Sequence, residues 1–170
     1  MLTPVVRRTL WPRGVTPILP VAGKRDRISA ISCITLSPRQ YLPGLYFELL
    51  PTNENVNAQR VVDFLRRLHE SLPRFTVIWD GNGIHSKAQL VKKFLAANPS
   101  IRAEDFPGYM PDLNPDEGVW GYTKYGRLPN FAPKSAQELR ARVDAELQRL
   151  KRQAYFLYRF IDHTQLPLQL

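Results

Sequence analysis

The stretch FTVIWDGNGIH, residues 75–85, is the part of the sequence that most directly predicts the fold. Its first five residues form a short apolar run with bounded ends, which is typical of a strand buried on both faces. Asp80 follows directly, ahead of the glycine-rich residues 81–83. Proteins with α/β folds place ligand-binding groups at the carboxyl ends of such strands. The same residues also fit an ordinary strand-end turn, so both interpretations of Asp80 stay open on this segment alone.

Three further segments read as strands. Residues 27–36 are rich in β-branched side chains, and residues 45–50 follow a Pro-Gly turn. The two are therefore expected to pair as a hairpin. Residues 101–106 predict another short strand.

The remaining periodic segments predict helices. Apolar residues recur at helical spacing in 57–72 and in 87–99, where Ser86 is the expected N-cap. The sequence SAQE opens a predicted long helix over 135–162 with a capping-box pattern. We therefore predict a single domain over 1–170, with an α/β architecture in which a mixed sheet is flanked by helices.

The composition predicts a polyanionic partner. The chain has 24 Lys and Arg residues against 15 Asp and Glu residues, a net charge of +9, and a pI near 10.0. Such a balance favours nucleic acid, although a solvated basic surface would give the same count. No apolar run is long enough to cross a bilayer, and the N-terminal residues have no signal-peptide core. With Cys33 as its single cysteine, the chain is expected in a reducing cytoplasm.

The segment PDLNPDEGVW, residues 111–120, concentrates three acidic side chains. Asn114 is positioned as a helix N-cap, Pro115 as the first helical residue, and Glu117 three residues after the cap. This arrangement by itself stabilises a helix start by about 1 kcal/mol. Glu117 also shares a helical face with Lys124, two turns on. The helix start is thus a strong interpretation of Glu117, and it does not exclude a metal ligand, because a carboxylate fixed at a helix start is also well positioned to bind a metal.

Taken together, WDGNGIHSK (79–87) and FPGYMPDLNPDEGVWGYTK (106–124) resemble the DDE endonuclease domain of bacterial insertion-sequence transposases related to the mariner group. In that family, the second catalytic Asp ends a strand ahead of a histidine. The third carboxylate is the Glu of a P-Y-x-P-x-L-N-P-x-E-x-x-W segment. Asp80 and Glu117 occupy these positions here, with 36 residues between them. Residues 2–19 also look like the stretch after the family's first catalytic strand, so the resemblance covers nearly the whole chain.

The resemblance implies an RNase H-like fold and metal-dependent cleavage and transfer of DNA strands. Asp80 and Glu117 are then the expected catalytic residues and ligands of Mg²⁺ or Mn²⁺, since hard cations prefer carboxylate oxygens. His85, Asn82 and Asn114 are expected beside the metal ligands. A lone histidine is more often structural, so both roles of His85 stay open.

A DNA-binding surface is also expected, and its partners would be the transposon ends and the target. Phosphate and stacking contacts suit the basic and aromatic cluster in RRTLWPRG and two lysines near the acidic residues. The candidates are Arg7, Arg8, Trp11, Arg13, Lys87 and Lys124. For any one of them, a solvated basic rim is an equally good interpretation. Trp120 is expected to pack in the core behind the site.

The sequence departs from the family pattern at its start. The family carries its first catalytic Asp on the first, central strand of the sheet, just ahead of an L-T-P-like stretch, and this sequence begins with MLTP. We therefore expect an N-terminally incomplete domain that lacks the central strand. Asp26 and Glu48 are the nearest substitutes, but their spacing does not favour either.

Two functions follow from this expectation. The chain is either the catalytic portion of a transposase, active when an upstream-encoded segment completes it, or a non-catalytic remnant that binds DNA or a transposase subunit. A non-transposase nuclease of RNase H-like fold is disfavoured by LNPDEGVW. A homodimer is plausible for the family, and a bacterial cytoplasmic, nucleoid-associated location is expected.

Overall fold

The computed structural model describes residues 5–8, 10, 12–21, 26–81, 83–108 and 110–164. Two predicted site residues, Trp11 and Asn82, lie outside the described residues. Within this part of the chain, no helix has the length and apolar character needed to cross a membrane.

The strands form two separate pairs. β1 (Ala30–Leu36) and β2 (Pro43–Leu49) are antiparallel, with Ile34 opposite Leu45, which confirms the predicted hairpin. β3 (Phe75–Trp79) and β4 (Ile101–Asp105) are parallel.

The expectation that β3 is buried on both faces was wrong. Phe75 and Val77 contribute to a hydrophobic core, but Thr76 is exposed and Ile78 is 47% exposed. These two residues point away from the core because successive side chains of a strand alternate between its faces. One face of β3 therefore has little cover in the described part of the chain.

Helices follow the predicted order. They are α1 (Ala58–Ser71), α2 (Gln89–Ala97), α3 (Pro115–Gly121), α4 (Ala136–Lys151) and α5 (Ala154–His163). A short 3₁₀ turn precedes α3, and a π-helical turn, Tyr122–Arg127, follows it directly.

Two predictions about these helices were wrong. Ser86 does not cap α2, which begins after Ala88 without a side-chain cap. The single helix expected over 135–162 is two helices, α4 and α5. The N–H groups of Arg152 and Gln153 bond to carbonyls three residues back, at 3.2 and 2.9 Å, so the last turn tightens and α4 ends. The break lets Leu150 and Leu157 enter one core from two helices.

The core is divided into two clusters, which define two halves of the molecule. The hairpin half comprises β1, β2 and α3–α5. Its buried cluster consists of Leu45, Leu49, Val119, Val143, Leu147, Leu150 and Leu157. The parallel half comprises β3, β4, α1 and α2. Its buried cluster consists of Val61, Val62, Leu65, Trp79 and Val91.

A large cavity lies between the halves. It has a volume of about 2030 Å³, and it is lined along its length by residues 30–36 of β1 and by residues 75–79 of β3. We call this space the inter-sheet cleft. The cleft matters for function because Asp80, at the end of β3, and Asn114, at the start of α3, also line it.

Candidate active site at the inter-sheet cleft

Asp80 lies at the carboxyl end of β3, where the sequence predicted it. Its side chain is 64% exposed, and its Oδ1 lies 2.6 Å from Nδ1 of His85. The His85 ring stacks on Trp79, with 5.5 Å between the ring centroids. Trp79 is fixed in turn, because its Nε1–H donates to Oδ1 of Asp105 on β4 at 2.8 Å. The chain thus holds the Asp80 carboxylate in place while leaving it open to solvent.

Glu117 lies in the first turn of α3, and the predicted cap is confirmed. Oδ1 of Asn114 accepts the N–H of Asp116 at 3.1 Å, and Pro115 begins the helix. The helix is fixed by close packing: a Cβ placed on Gly118 would come within 2.8 Å of the Phe160 ring on α5. The exposed Glu117 side chain therefore projects from a firmly held helix start.

Asp116 is a residue that the sequence reasoning missed. Its Oδ2 accepts hydrogen bonds from Oγ of Ser32 at 2.6 Å and from Nε1 of Trp120 at 3.2 Å. Its Oδ1 is shielded from solvent and has no hydrogen-bond partner in the described part of the chain. Burial raises the pKa of this carboxyl to about 6, although the two hydrogen bonds act in the opposite direction. The spacing of Asp116 and Trp120, one helical turn apart, was the available signal.

The predicted residues converge only in part. Asp80, His85, Asn114 and Asp116 all line the inter-sheet cleft. Glu117 adjoins Asp116 in the chain but faces solvent. Among the described residues, no three His, Cys, Asp or Glu side chains come together as a metal site. Asp80 and Glu117 offer the hard oxygen ligands that Mg²⁺ and Mn²⁺ prefer, so the donor chemistry fits a divalent cation, while the set of donors is incomplete.

The two carboxylates considered as substitutes for a first catalytic Asp are engaged elsewhere. Asp26 accepts a hydrogen bond from Nδ2 of Asn53 at 3.0 Å. Glu48 on β2 forms an ion pair with Arg67 of α1. Both contacts hold the connection between the hairpin and α1, which is a structural role.

The predicted DNA contacts are spread over the surface. Arg8, Arg13, Lys87 and Lys124 are exposed. Arg7 is partly committed to the fold, because its guanidinium donates to the carbonyl of Tyr125 at 2.9 Å.

The α-helix that was expected to carry both Glu117 and Lys124 changes geometry between them. Ordinary α-helical geometry ends at Gly121, and Lys124 lies in the π-helical turn. The wider turn changes the angular spacing of residues along the helix. The angle between Glu117 and Lys124 therefore differs from the value for an uninterrupted α-helix.

Cys33 on β1 has no catalytic character. Burial raises the pKa of its thiol to about 12, so the nucleophilic thiolate is scarce at neutral pH.

Comparison with known proteins decides the family. The sequence pattern of the family described as DDE superfamily endonuclease matches residues 2–140. This chain belongs to the DDE superfamily endonucleases. Among curated proteins, none matches the chain significantly. The α/β architecture with small sheets flanked by helices also matches transposase catalytic domains of RNase H-like fold, which confirms the fold that the resemblance implied.

Solved structures of the Mos1 mariner transposase share the fold. The paired end complex with Mn has a TM-score of 0.63 and 20% sequence identity, covering 94% of this chain and 48% of the Mos1 chain. For the strand transfer complex the values are 0.62 and 21%, with coverage of 94% and 46%. The Mos1 catalytic domain with Raltegravir and Mg gives 0.50 and 17%, with coverage of 81% and 79%. The DDE endonuclease chain thus spans about half the length of the Mos1 chains in the complexes.

Proposed function

We propose that this chain is the catalytic portion of a transposase that cleaves DNA strands and joins them to a target. The observation that carries the proposal is the position of Asp80 and the start of α3 at one cleft in a DDE superfamily endonuclease. These two points are far apart in sequence, so only folding brings them to the same cavity. Solved Mos1 structures with Mn and with Mg support a divalent cation as the cofactor.

In this proposal, Asp80 and Glu117 hold the cation. A bound Mg²⁺ or Mn²⁺ supplies activation of the attacking water or 3′-hydroxyl and stabilises the leaving oxygen of the phosphodiester. His85 orients the Asp80 carboxylate through its Nδ1–H, and Trp79 fixes the His85 ring. Asn114 fixes the first turn of α3, and with it the backbone that carries Glu117.

The proposed partners are DNA and other transposase polypeptides. The net charge of +9 suits the phosphate backbone, and the Mos1 relatives were solved as complexes of transposon ends. An upstream-encoded segment supplies the remaining carboxylate, and two copies form the working assembly. We place this assembly in the bacterial cytoplasm, at the nucleoid.

The test is plasmid nicking by a completed chain. A strand of the family type, with its Asp, is fused ahead of residue 1, and supercoiled plasmid is incubated with Mg²⁺ or Mn²⁺. We expect nicking that is abolished in Asp80→Asn and in Glu117→Gln. Glu104→Gln, a change in an exposed carboxylate on β4, is the matched control and should nick normally.

A well-folded completed chain that binds plasmid without nicking it would contradict the catalytic proposal. It would favour the alternative of a non-catalytic remnant. Folding is checked by circular dichroism, and binding by a gel shift at two salt concentrations. The remnant retains the salt-sensitive DNA binding that its charge predicts.

A further inference from the structure

One face of α5 carries exposed aromatic and basic side chains. Leu157 and Ile161 are buried and form the inner face of the helix. Tyr155 lies on the opposite face and is 68% exposed. Arg159, four residues further on, is also exposed. Residues four apart are neighbours on a helix surface, so an aromatic ring and a guanidinium group lie side by side in solvent.

The β1–β2 turn adds a second exposed ring beside this face. The hydroxyl of Tyr158, one turn from Tyr155 along α5, donates a hydrogen bond to the carbonyl of Tyr41. Tyr41 is 42% exposed, and its φ of 52° lies in the left-handed region, which is unfavourable for a bulky residue. Backbone strain of this kind is concentrated at functional sites. The exposed Tyr41 ring is thus held beside α5 at a conformational cost, which favours a binding role.

The positive charge around these rings is not neutralised. Residues 151–159 contain three basic residues, Lys151, Arg152 and Arg159, and no acidic residue. All three are exposed, and within the described part of the chain none of them forms an ion pair with a carboxylate. Asp162, the next acidic residue along the chain, lies in the last turn of α5. The surface therefore keeps a local excess of positive charge.

Arginines in other parts of the molecule have a different environment. Six of them form ion pairs with Glu48, Glu54, Asp63 or Glu146. They are Arg60, Arg66, Arg67, Arg127, Arg142 and Arg149. These pairs engage the guanidinium groups within the fold. The basic side chains around Tyr155 are not engaged in this way, so they are available to a polyanion.

The combination of rings and cations favours one kind of polyanion. Basic side chains alone attract any nucleic acid through its phosphates. Aromatic side chains add affinity by stacking on bases, and this stacking needs unpaired bases with accessible faces. A duplex keeps its base faces stacked on one another. The surface therefore suits an unpaired strand better than a duplex.

We propose that this surface binds single-stranded DNA, with bases stacked on the tyrosine rings and phosphates bound by the basic side chains. We call it the α5 surface, and it consists of Tyr41, Lys151, Arg152, Tyr155 and Arg159. It contains none of the residues proposed to hold or position the metal. The choice of DNA over RNA rests on the proposed function. The preference for an unpaired strand follows from the α5 surface alone.

The experiment measures binding of the full chain to a fluorescent oligo(dT) of about 12 nucleotides, a length typical of single-strand binding sites. EDTA is present, so metal-dependent cleavage does not contribute. Tyr155→Ala should weaken the binding of oligo(dT) by about tenfold, because one stacked base is lost. Tyr155→Phe keeps the ring and should bind as tightly as the unmodified protein. Neither substitution should change the affinity for a duplex of the same length.

Two exposed residues outside the α5 surface serve as matched controls. Tyr125 is 60% exposed, and Tyr125→Ala should leave the binding of oligo(dT) unchanged. Arg159→Ala should reduce the slope of log affinity against log salt by about 0.7, the value for one phosphate of a single strand. Lys93→Ala, on α2, should leave that slope unchanged. All substituted side chains are exposed, so the variants should fold normally, and circular dichroism checks this.

Four results would overturn the inference. Tyr155→Ala could bind oligo(dT) normally, or it could weaken the binding of duplex as much as that of oligo(dT). Tyr125→Ala could weaken oligo(dT) binding as much as Tyr155→Ala does. Oligo(rU) could bind more tightly than oligo(dT). Normal oligo(dT) binding by Tyr155→Ala, together with a shift from dimer to monomer in sedimentation, would assign the surface to a second copy.

Plasmid nicking by the completed chain separates this inference from the proposed function. Weaker oligo(dT) binding by Tyr155→Ala together with failed nicking would contradict the proposed function alone. Successful nicking together with normal oligo(dT) binding by Tyr155→Ala would contradict the α5 surface alone.

Discussion

The two halves of the molecule differ in how completely they bury their strands. In the hairpin half, α3, α4 and α5 pack against β1 or β2, and Leu45, Leu147 and Leu157 are fully buried. In the parallel half, α1 and α2 enclose one side of β3, while Ile78 on its other side stays exposed. One face of β3 is therefore less completely covered than the strands of the hairpin half.

The candidate catalytic residues, Asp80 and Glu117, and two residues expected beside them also divide between these halves. Asp80 and His85 belong to the parallel half, and Asn114 and Glu117 belong to the hairpin half. The most extensive packing between elements lies within each half. The two carboxylates are therefore carried by elements whose most extensive packing lies in different halves.

The largest effects are expected from cavities made in each core. Leu147→Ala in the hairpin half and Leu65→Ala in the parallel half should each lower the free energy of unfolding by about 2–5 kcal/mol. Both side chains are at most 2% exposed, which makes them a matched pair. Native-state hydrogen exchange should show that each variant loses protection mainly in its own half. Equal loss of protection throughout the chain would show that the two halves unfold as one cooperative unit, which would contradict the division into two halves.

The next largest effect on stability is expected from Glu146 and the arginines around it in the hairpin half. Glu146 is 7% exposed, and its Oε2 accepts a hydrogen bond from Nε of Arg127 at 2.8 Å. This bond, with Arg142 and Arg149 nearby, holds the pKa of the Glu146 carboxyl below its usual range. Glu146→Gln should destabilise the protein by about 2 kcal/mol at pH 7, since a hydrogen bond to a charged group is lost.

The pH dependence of this variant follows from the lowered pKa. The stabilisation is present above the carboxyl's ordinary pKa and is lost as the pH falls through the lower pKa of the folded protein. Denaturant unfolding from pH 7 down to pH 3 should therefore show the two proteins converging in acid. The exposed Glu70→Gln serves as the control and should change stability by less than about 0.5 kcal/mol. If the difference in unfolding free energy between Glu146→Gln and the unmodified protein stayed constant from pH 7 to pH 3, it would contradict the lowered pKa of Glu146.

Substitutions at two helix caps should have similar, smaller effects on stability but different effects on plasmid nicking. Asn114 caps α3 and Ser135 caps α4, each through its side-chain oxygen. Replacing either with alanine should cost about 1 kcal/mol. Only Asn114 lines the cleft, so only Asn114→Ala should also reduce plasmid nicking by the completed chain. Equal nicking by the two variants at a temperature where both are folded would count against a role for the α3 start.

The smallest effect concerns a single DNA phosphate contact. Lys87 lies between His85 and α2, and Arg39 lies in the β1–β2 turn; both are exposed. For duplex DNA, Lys87→Ala should reduce the slope of log affinity against log salt by about 0.9. Arg39→Ala should leave it unchanged. Fluorescence anisotropy at four salt concentrations measures both slopes, and identical slopes would remove Lys87 from the interface.

Local chemistry made much of the fold predictable. The cap at Asn114, the cap at Ser135 and the strand that ends at Asp80 each follow from short sequence patterns, and all three are observed. The break between α4 and α5 was missed because the apolar stripe continues across it, although Gln153 turns the chain. The exposure of Ile78 was missed because a five-residue apolar run does not reveal which neighbours will cover it.

The site was predictable to a lesser extent. Asp80 and His85 are close in sequence, so their contact needs only a turn. The role of Asp116 depends on Ser32, which is 84 residues away and reaches it only through packing of α3 on β1. Long-range contacts of this kind are invisible in local patterns. The family resemblance singled out Glu117, and its role as a metal ligand stays a prediction.

The most direct test of the central claim is Mn²⁺ titration of the isotope-labelled completed chain by NMR. If Asp80 and Glu117 hold one cation site across the cleft, the amide signals of Gly81 and Gly118 broaden together at the same Mn²⁺ concentration. Asp80→Asn should then abolish the broadening at both positions, including the one in the other half of the molecule. Broadening at only one of the two glycines, or at Gly118 unchanged by Asp80→Asn, would contradict a shared metal site.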